Sequence, residues 1–106
     1  MREINNLYRI KLNYREACRR AKELEEAADS LENSLKKDLS ESMDVLGAAW
    51  VSENAVMYLT KEVELYNAIK ADIVELRNIA VLIRQTAEAV KRADTEAWEI
   101  AEKRSS

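Results

Sequence analysis

Apolar residues recur at alternating spacings of three and four positions along the first third of the chain. The series begins at Leu7 and continues without interruption to Leu35. This spacing places the apolar side chains along one line of an α-helix, as in a helix that packs lengthwise against another helix. We call this line the seam, and its members are Leu7, Ile10, Tyr14, Ala17, Ala21, Leu24, Ala28, Leu31 and Leu35.

A second seam in the other half of the chain predicts a second long helix. Its members are Leu59, Tyr66, Ile69, Ile73, Leu76, Ala80, Ile83, Ala87 and Val90. Between the seams lies Gly47, the only glycine in a chain without proline. Glycine commonly ends a helix, and Ser52 is a suitable N-cap for the next one. We therefore expect helix 1 over about residues 3–45, a bend over about 46–52 and helix 2 over about 53–102.

The width of the apolar band on the second helix predicts association with another chain. Leu65, Ile79 and Leu82 belong to a second apolar set outside the seam, the helix is apolar all round near Ile83, and a single neighbouring helix cannot cover so wide a band. We therefore place a partner interface at these four residues. The predicted fold class is all-α: a single domain of 106 residues that forms an antiparallel helix-turn-helix hairpin and dimerises into a four-helix bundle.

The composition argues against catalysis and against a metal or cofactor site. The chain has no histidine, and Cys18 is its only cysteine. Ordinary zinc sites and histidine general bases are therefore excluded. No glycine-rich loop is present that could bind phosphate. We expect a protein that is not an enzyme and that takes no cofactor.

The distribution of charge bears on the choice of partner. The formal net charge is −3, which disfavours nucleic acid as a partner. Residues 1–22 hold seven basic and two acidic side chains, whereas residues 23–44 hold two basic and eight acidic ones. Two hairpins packed antiparallel bring these unlike ends together, and an unlike partner protein can satisfy the same rule.

Neither a membrane anchor nor a secretory signal peptide is expected. No apolar run approaches the length that spans a bilayer. The first six residues contain no apolar core of the kind that a signal peptide needs. We expect a chain that inserts into no membrane and is cytoplasmic, or that leaves the cell by a route independent of such a signal.

A helical hairpin of this length with tryptophan at its bend resembles the Trp-x-Gly family, the small early-secretory-antigen-like proteins of bacterial type VII secretion. Trp50 matches the family tryptophan, and Ser52 stands where glycine is usual. Trp50 is either a hydrophobic plug over the bend or half of a recognition surface formed with a C-terminal motif.

The family's second signature, Tyr-x-x-x-Asp/Glu, contributes to its export signal. Asp94 matches the acidic residue, and Val90 replaces the aromatic one. Trp98 and Glu102 form a second aromatic-x-x-x-acid frame in the same region. By resemblance, these four residues are the candidate export motif.

The resemblance implies a non-enzymatic component of a type VII secretion system, exported as a dimer or acting as an adaptor. Its partners would then be a second copy or a related small helical protein, together with the secretion ATPase. Some relatives pair with the helical N-terminal domain of an LXG-type toxin, so a targeting partner of such a toxin is an alternative. A generic cytoplasmic coiled-coil interaction module remains a third interpretation.

Overall fold

The chain consists of two long antiparallel helices, which confirms the predicted all-α hairpin. The computed structural model describes α1 (Arg2–Ala49) and α2 (Glu53–Ser105), and it describes side-chain surroundings over residues 6–44 and 56–105. Within these two helices no strand is present. None of the described helical segments has an apolar stretch suited to crossing a bilayer.

Gly47 lies inside α1 and does not terminate it, contrary to expectation. The helix continues to Ala49, and no described glycine has a positive φ. A glycine within a helix costs only roughly 1 kcal/mol relative to alanine, and the adjacent Leu46 and Ala48 are strong helix formers. Trp50 and Ser52 lie outside the described residues.

The two helices form two compact units, which we describe separately. The terminal unit comprises Met1–Leu24 and Asn78–Ser106. Ala21 and Ala80 are fully buried between its two helical segments. Because an alanine side chain is a single methyl group, it allows two helix backbones to approach closely along the seam.

The central unit comprises Glu25–Arg77 and has the same kind of thin core. Ala28 is fully buried, and Ile73 is the largest side chain described with less than 2% of its surface exposed. No polar or charged side chain is buried among the residues described. The two helices of this unit therefore pack through a single apolar line.

An ion-pair cluster also joins the two helices of the central unit. Nη2 of Arg77 lies 2.9 Å from Oδ1 of Asp29, and Nη1 lies 2.7 Å from Oε2 of Glu32. Nζ of Lys36 lies 3.0 Å from the other oxygen of Glu32. Arg77 thus connects α2 to two successive turns of α1.

The inward face of α2 departs from the predicted seam near its C-terminal end. Val90 was placed in the seam, but it is 52% exposed. The half-buried positions after Ala87 include Lys91, Thr95 and Trp98 instead. A strict heptad pattern drifts relative to a straight helix of 3.6 residues per turn, so the inward line moves by one residue.

Candidate helix-binding groove

One flank of α2 in the terminal unit carries no charged residue from Ile79 to Ala101. At 3.6 residues per turn, the side chains of this flank fall within a sector of about 120° around the helix axis, beside the seam. The flank extends for about 33 Å along the helix. We call it the apolar stripe, and its members are Ile79, Leu82, Ile83, Thr86, Ala89, Val90, Ala93, Ala97, Ile100 and Ala101.

Most of the large side chains of the apolar stripe are exposed, as are several other large apolar side chains of this chain. Leu82 is 60% exposed, and Ile79, Val90 and Ile100 are between 41% and 52% exposed. Single apolar residues on a surface need no explanation, but a contiguous exposed apolar patch is a candidate contact site. The stripe is therefore the first element of the candidate site.

A groove lies along the stripe, between α2 and the facing flank of α1 in the terminal unit. It consists of two adjoining cavities of about 420 and 400 Å³ that share Ile10, Asn13 and Asp94. Leu82, Ile83 and Val90 contribute to the first cavity. The second cavity is lined partly by Asn6, Arg9, Ala97, Trp98 and Ala101.

The two ends of the groove differ in shape. The end that contains Leu82 and Ile83 is lined by large aliphatic side chains. At the other end, Ala97 and Ala101 are one helical turn apart on the same side of α2. Small residues let a neighbouring backbone come close, so a partner backbone can approach α2 at the Ala97–Ala101 end.

Asp94 is the only acidic residue in the lining of the groove, and it contributes to both cavities. Its side chain is exposed, and no ion pair reaches it from the described part of the chain. Asn13 on α1 lines the same two cavities. An otherwise apolar groove therefore presents a carboxylate and an amide at its middle.

The wall of the groove near Asp94 is held by a polar cluster around Tyr14. Nζ of Lys91 lies over the Tyr14 ring, 4.3 Å from its centroid. Hydrogen bonds with Cys18 and with Glu88, together with electrostatic interactions with the same groups, raise the pKa of Tyr14 to about 12. These contacts and the lysine hold the Tyr14 ring against α2.

Most of the residues predicted for the tail motif and the interface lie at this groove. Val90 lines the first cavity, Trp98 lines the second, and Asp94 lines both. Leu82 and Ile83 belong to the first cavity as well as to the stripe. The structure thus places candidate motif and candidate interface residues along one surface.

The remaining predicted residues lie elsewhere. Ile79 belongs to the stripe but not to the cavity lining, and Glu102 is exposed outside both cavities. Leu65 is 59% exposed and belongs to the central unit. Trp50 and Ser52 fall outside the described residues, and Gly47 lies in α1.

Sequence analysis missed the α1 side of the groove. Ile10 and Tyr14 were expected only to pack in the seam, and Asn13 received no role. The available signal was the pair Asn6 and Asn13, which stand seven residues apart on one flank of α1, beside Ile10.

The groups that the two cavities of the groove share are an apolar side chain, one carboxylate and one carboxamide. Across the described side chains, no group of three or more acidic, cysteine or histidine residues is placed to hold a metal ion. The apolar stripe, the groove and the central carboxylate can bind and orient another helix.

The sequence matches no family model, and neither the curated proteins nor the solved structures compared with it include a match.

Proposed function

We propose that this chain is a non-enzymatic helix-binding protein of a bacterial type VII secretion system. The apolar stripe carries the proposal, because it is an uncharged, exposed surface as long as about six helical turns. Its most exposed large residue is Leu82, at 60%. In the proposed role, the terminal unit holds a partner helix along the stripe, and the complex is exported or delivers its partner for export.

The exposed area supports the need for a partner. The chain has 8431 Å² of accessible surface, whereas a compact monomer of 12.2 kDa exposes on the order of 6,000 Å². A standard protein interface buries about 800 Å² on each side. The excess is therefore large enough to accommodate a partner interface.

The secretion context rests on the resemblance of Trp50 and the C-terminal residues to the Trp-x-Gly family. Placement of Val90, Asp94 and Trp98 along the groove supports it, because an export signal shared with a partner needs a common surface. Of the two roles, the adaptor role for an LXG-type toxin is favoured by the different shapes of the two ends of the groove. An unlike helix can match this asymmetry directly.

Secretion from the encoding bacterium tests the proposal. We expect the chain, or the toxin that it accompanies, to disappear from the culture medium when the secretion ATPase is deleted. Leu82→Asp should have the same effect, because it puts a charge into the aliphatic end of the helix contact. Loss of association should exceed about tenfold, as for the loss of a large apolar side chain from an interface.

Val81→Asp is the matched control. Val81 is 49% exposed and lies next to Leu82 on α2, but its side chain lies about half a turn around the helix from the stripe. Both variants should retain their helicity by circular dichroism, and only Leu82→Asp should lose the partner. Export that persists without the ATPase would remove the type VII assignment and leave the helix-binding function to be judged by the association data.

A further inference from the structure

We propose that the groove binds a helix of an unlike protein, with one lysine or arginine opposite Asp94 and acidic residues along the helix edges. The inference rests on the helix-binding function proposed above and specifies the chemistry of the partner. Its basis is the single carboxylate in the groove, together with the charge of the unit around it.

Asp94 needs a counter-ion when a helix occupies the groove. A docked helix removes water from the groove, and a carboxylate that loses water without gaining a counter-ion raises the free energy of the complex. The carboxylate has no ion-pair partner in the described part of the chain, as noted above. Asn13 can donate one hydrogen bond from the opposite wall but carries no charge. Lys91 is engaged with the Tyr14 ring, and Arg9 makes no described ion pair with Asp94, so we assign this role to a cation on the incoming helix.

The unit around the groove carries a net positive charge. The terminal unit holds twelve basic and eight acidic residues, a formal charge of +4. Arg9 and Lys91 line the groove on either side of Asp94. Acidic residues at the edges of the partner helix complement this positive charge, whereas basic residues at the same edges would oppose docking.

A second copy of this chain does not supply such a helix through its own stripe. The stripe contains no charged residue, so packing stripe on stripe leaves each Asp94 without a cation. Such packing also brings together two units that each carry +4. Both effects disfavour this form of self-association.

In a second copy, the corresponding flank of α2 in the central unit does not fit the groove either. It carries Lys61, which could face Asp94, but it also carries Glu64, Asp72 and Glu75. When Lys61 of an antiparallel copy is set opposite Asp94, the Asp72 and Glu75 carboxylates fall against the aliphatic part of the stripe. These unpaired charges disfavour that register, whereas an unlike helix can carry a cation opposite Asp94 without them.

Binding of three designed helical peptides tests the inference. Each peptide has about 20 residues to match the groove, an alanine–leucine contact line and glutamates along both edges. They differ only at the central contact position, which is lysine, leucine or glutamate. Fluorescence anisotropy with the full chain should give the tightest binding for the lysine peptide, by about tenfold over the glutamate peptide.

Charge reversal in the protein makes the test specific. With Asp94→Lys, the glutamate peptide should become the tightest of the three. Glu99→Lys changes the net charge equally, but Glu99 is exposed and does not line the groove, so the order should stay as in the wild type. Circular dichroism of both variants confirms that the helices are intact.

The outcomes separate this inference from the proposed function. Equal binding of all three peptides would overturn the role of Asp94 while retaining a helix-binding groove. Failure of every peptide to bind would overturn both. If the chain alone sediments as a dimer that Leu82→Asp dissociates and Val81→Asp does not, a second copy occupies the stripe and the unlike helix is wrong.

Discussion

At the residue scale, Arg77 carries most of the electrostatic contact between the helices of the central unit. Hydrogen bonds from Lys36 and then from Arg77 lower the pKa of Glu32 from its ordinary value of 4.5. The carboxylates of Asp29 and Glu32 raise the pKa of Arg77 in turn. Because folding lowers the pKa of Glu32, its contribution to stability is present above the ordinary value and is lost as the pH falls through the lowered one.

Arg77→Met tests this linkage, because it removes the charge and retains an apolar stem. We expect the midpoint of thermal unfolding to fall by roughly 1–5 °C at pH 7, a modest effect since the cluster is solvent-exposed. The difference from wild type should shrink below about pH 4.5, the ordinary pKa of a glutamate. Arg92→Met is the control, since its 3.9 Å contact with Glu88 lies within one helix. An equal difference at pH 3 would contradict the role of Glu32.

At the element scale, the apolar spacing was sufficient to predict two long helices, because only a helix places a three-four repeat on one line. It was insufficient to predict which of Val90 and Lys91 faces the other helix. Lysine is a charged residue, yet the Lys91 side chain lies against the Tyr14 ring of α1. The site residues named from the sequence in this unit lie on α2 alone, since the other wall of the groove depends on which flank of α1 faces the stripe.

Substitution of Gly47 by alanine tests whether α1 continues through this residue as a regular helix. Since Gly47 lies within α1 and has no positive φ, alanine is compatible with its backbone. Gly47→Ala should therefore raise the free energy of unfolding by about 0.5–1 kcal/mol, through the lower conformational entropy of the unfolded chain. Urea titration at constant protein concentration measures the change. Destabilisation instead would indicate that Gly47 takes the left-handed conformation expected from sequence.

At the scale of the whole molecule, few side chains are fully buried and the charge is unevenly divided. Ala21, Ala28, Ile73 and Ala80 are the fully buried apolar residues in the part of the chain that the structure describes. The central unit holds five basic and twelve acidic residues, a charge of −7, against +4 in the terminal unit. A partner that binds only the folded chain therefore adds stability where the chain's own core contributes little.

At the scale of the whole molecule, the bend and the tail are also expected to act together. The resemblance implies that Trp50 and the C-terminal motif act as one export signal, and Asp94 of that motif lies in the groove. Trp50→Ala and Asp94→Ala should each reduce export roughly tenfold, the effect of losing one central contact. The double variant should be little worse than either single one, because residues that share one surface do not act independently.

Glu99→Ala serves as the control for Asp94→Ala, since it removes an exposed carboxylate outside the groove. Circular dichroism must show that every variant is folded, and native mass must show that the Trp50→Ala and Glu99→Ala variants associate as the wild type does. If the double variant loses export by the product of the two single effects, bend and tail act separately. If both single variants are folded and exported normally, the tail motif is no signal, and Trp50 is the hydrophobic plug that its place in the sequence also allows.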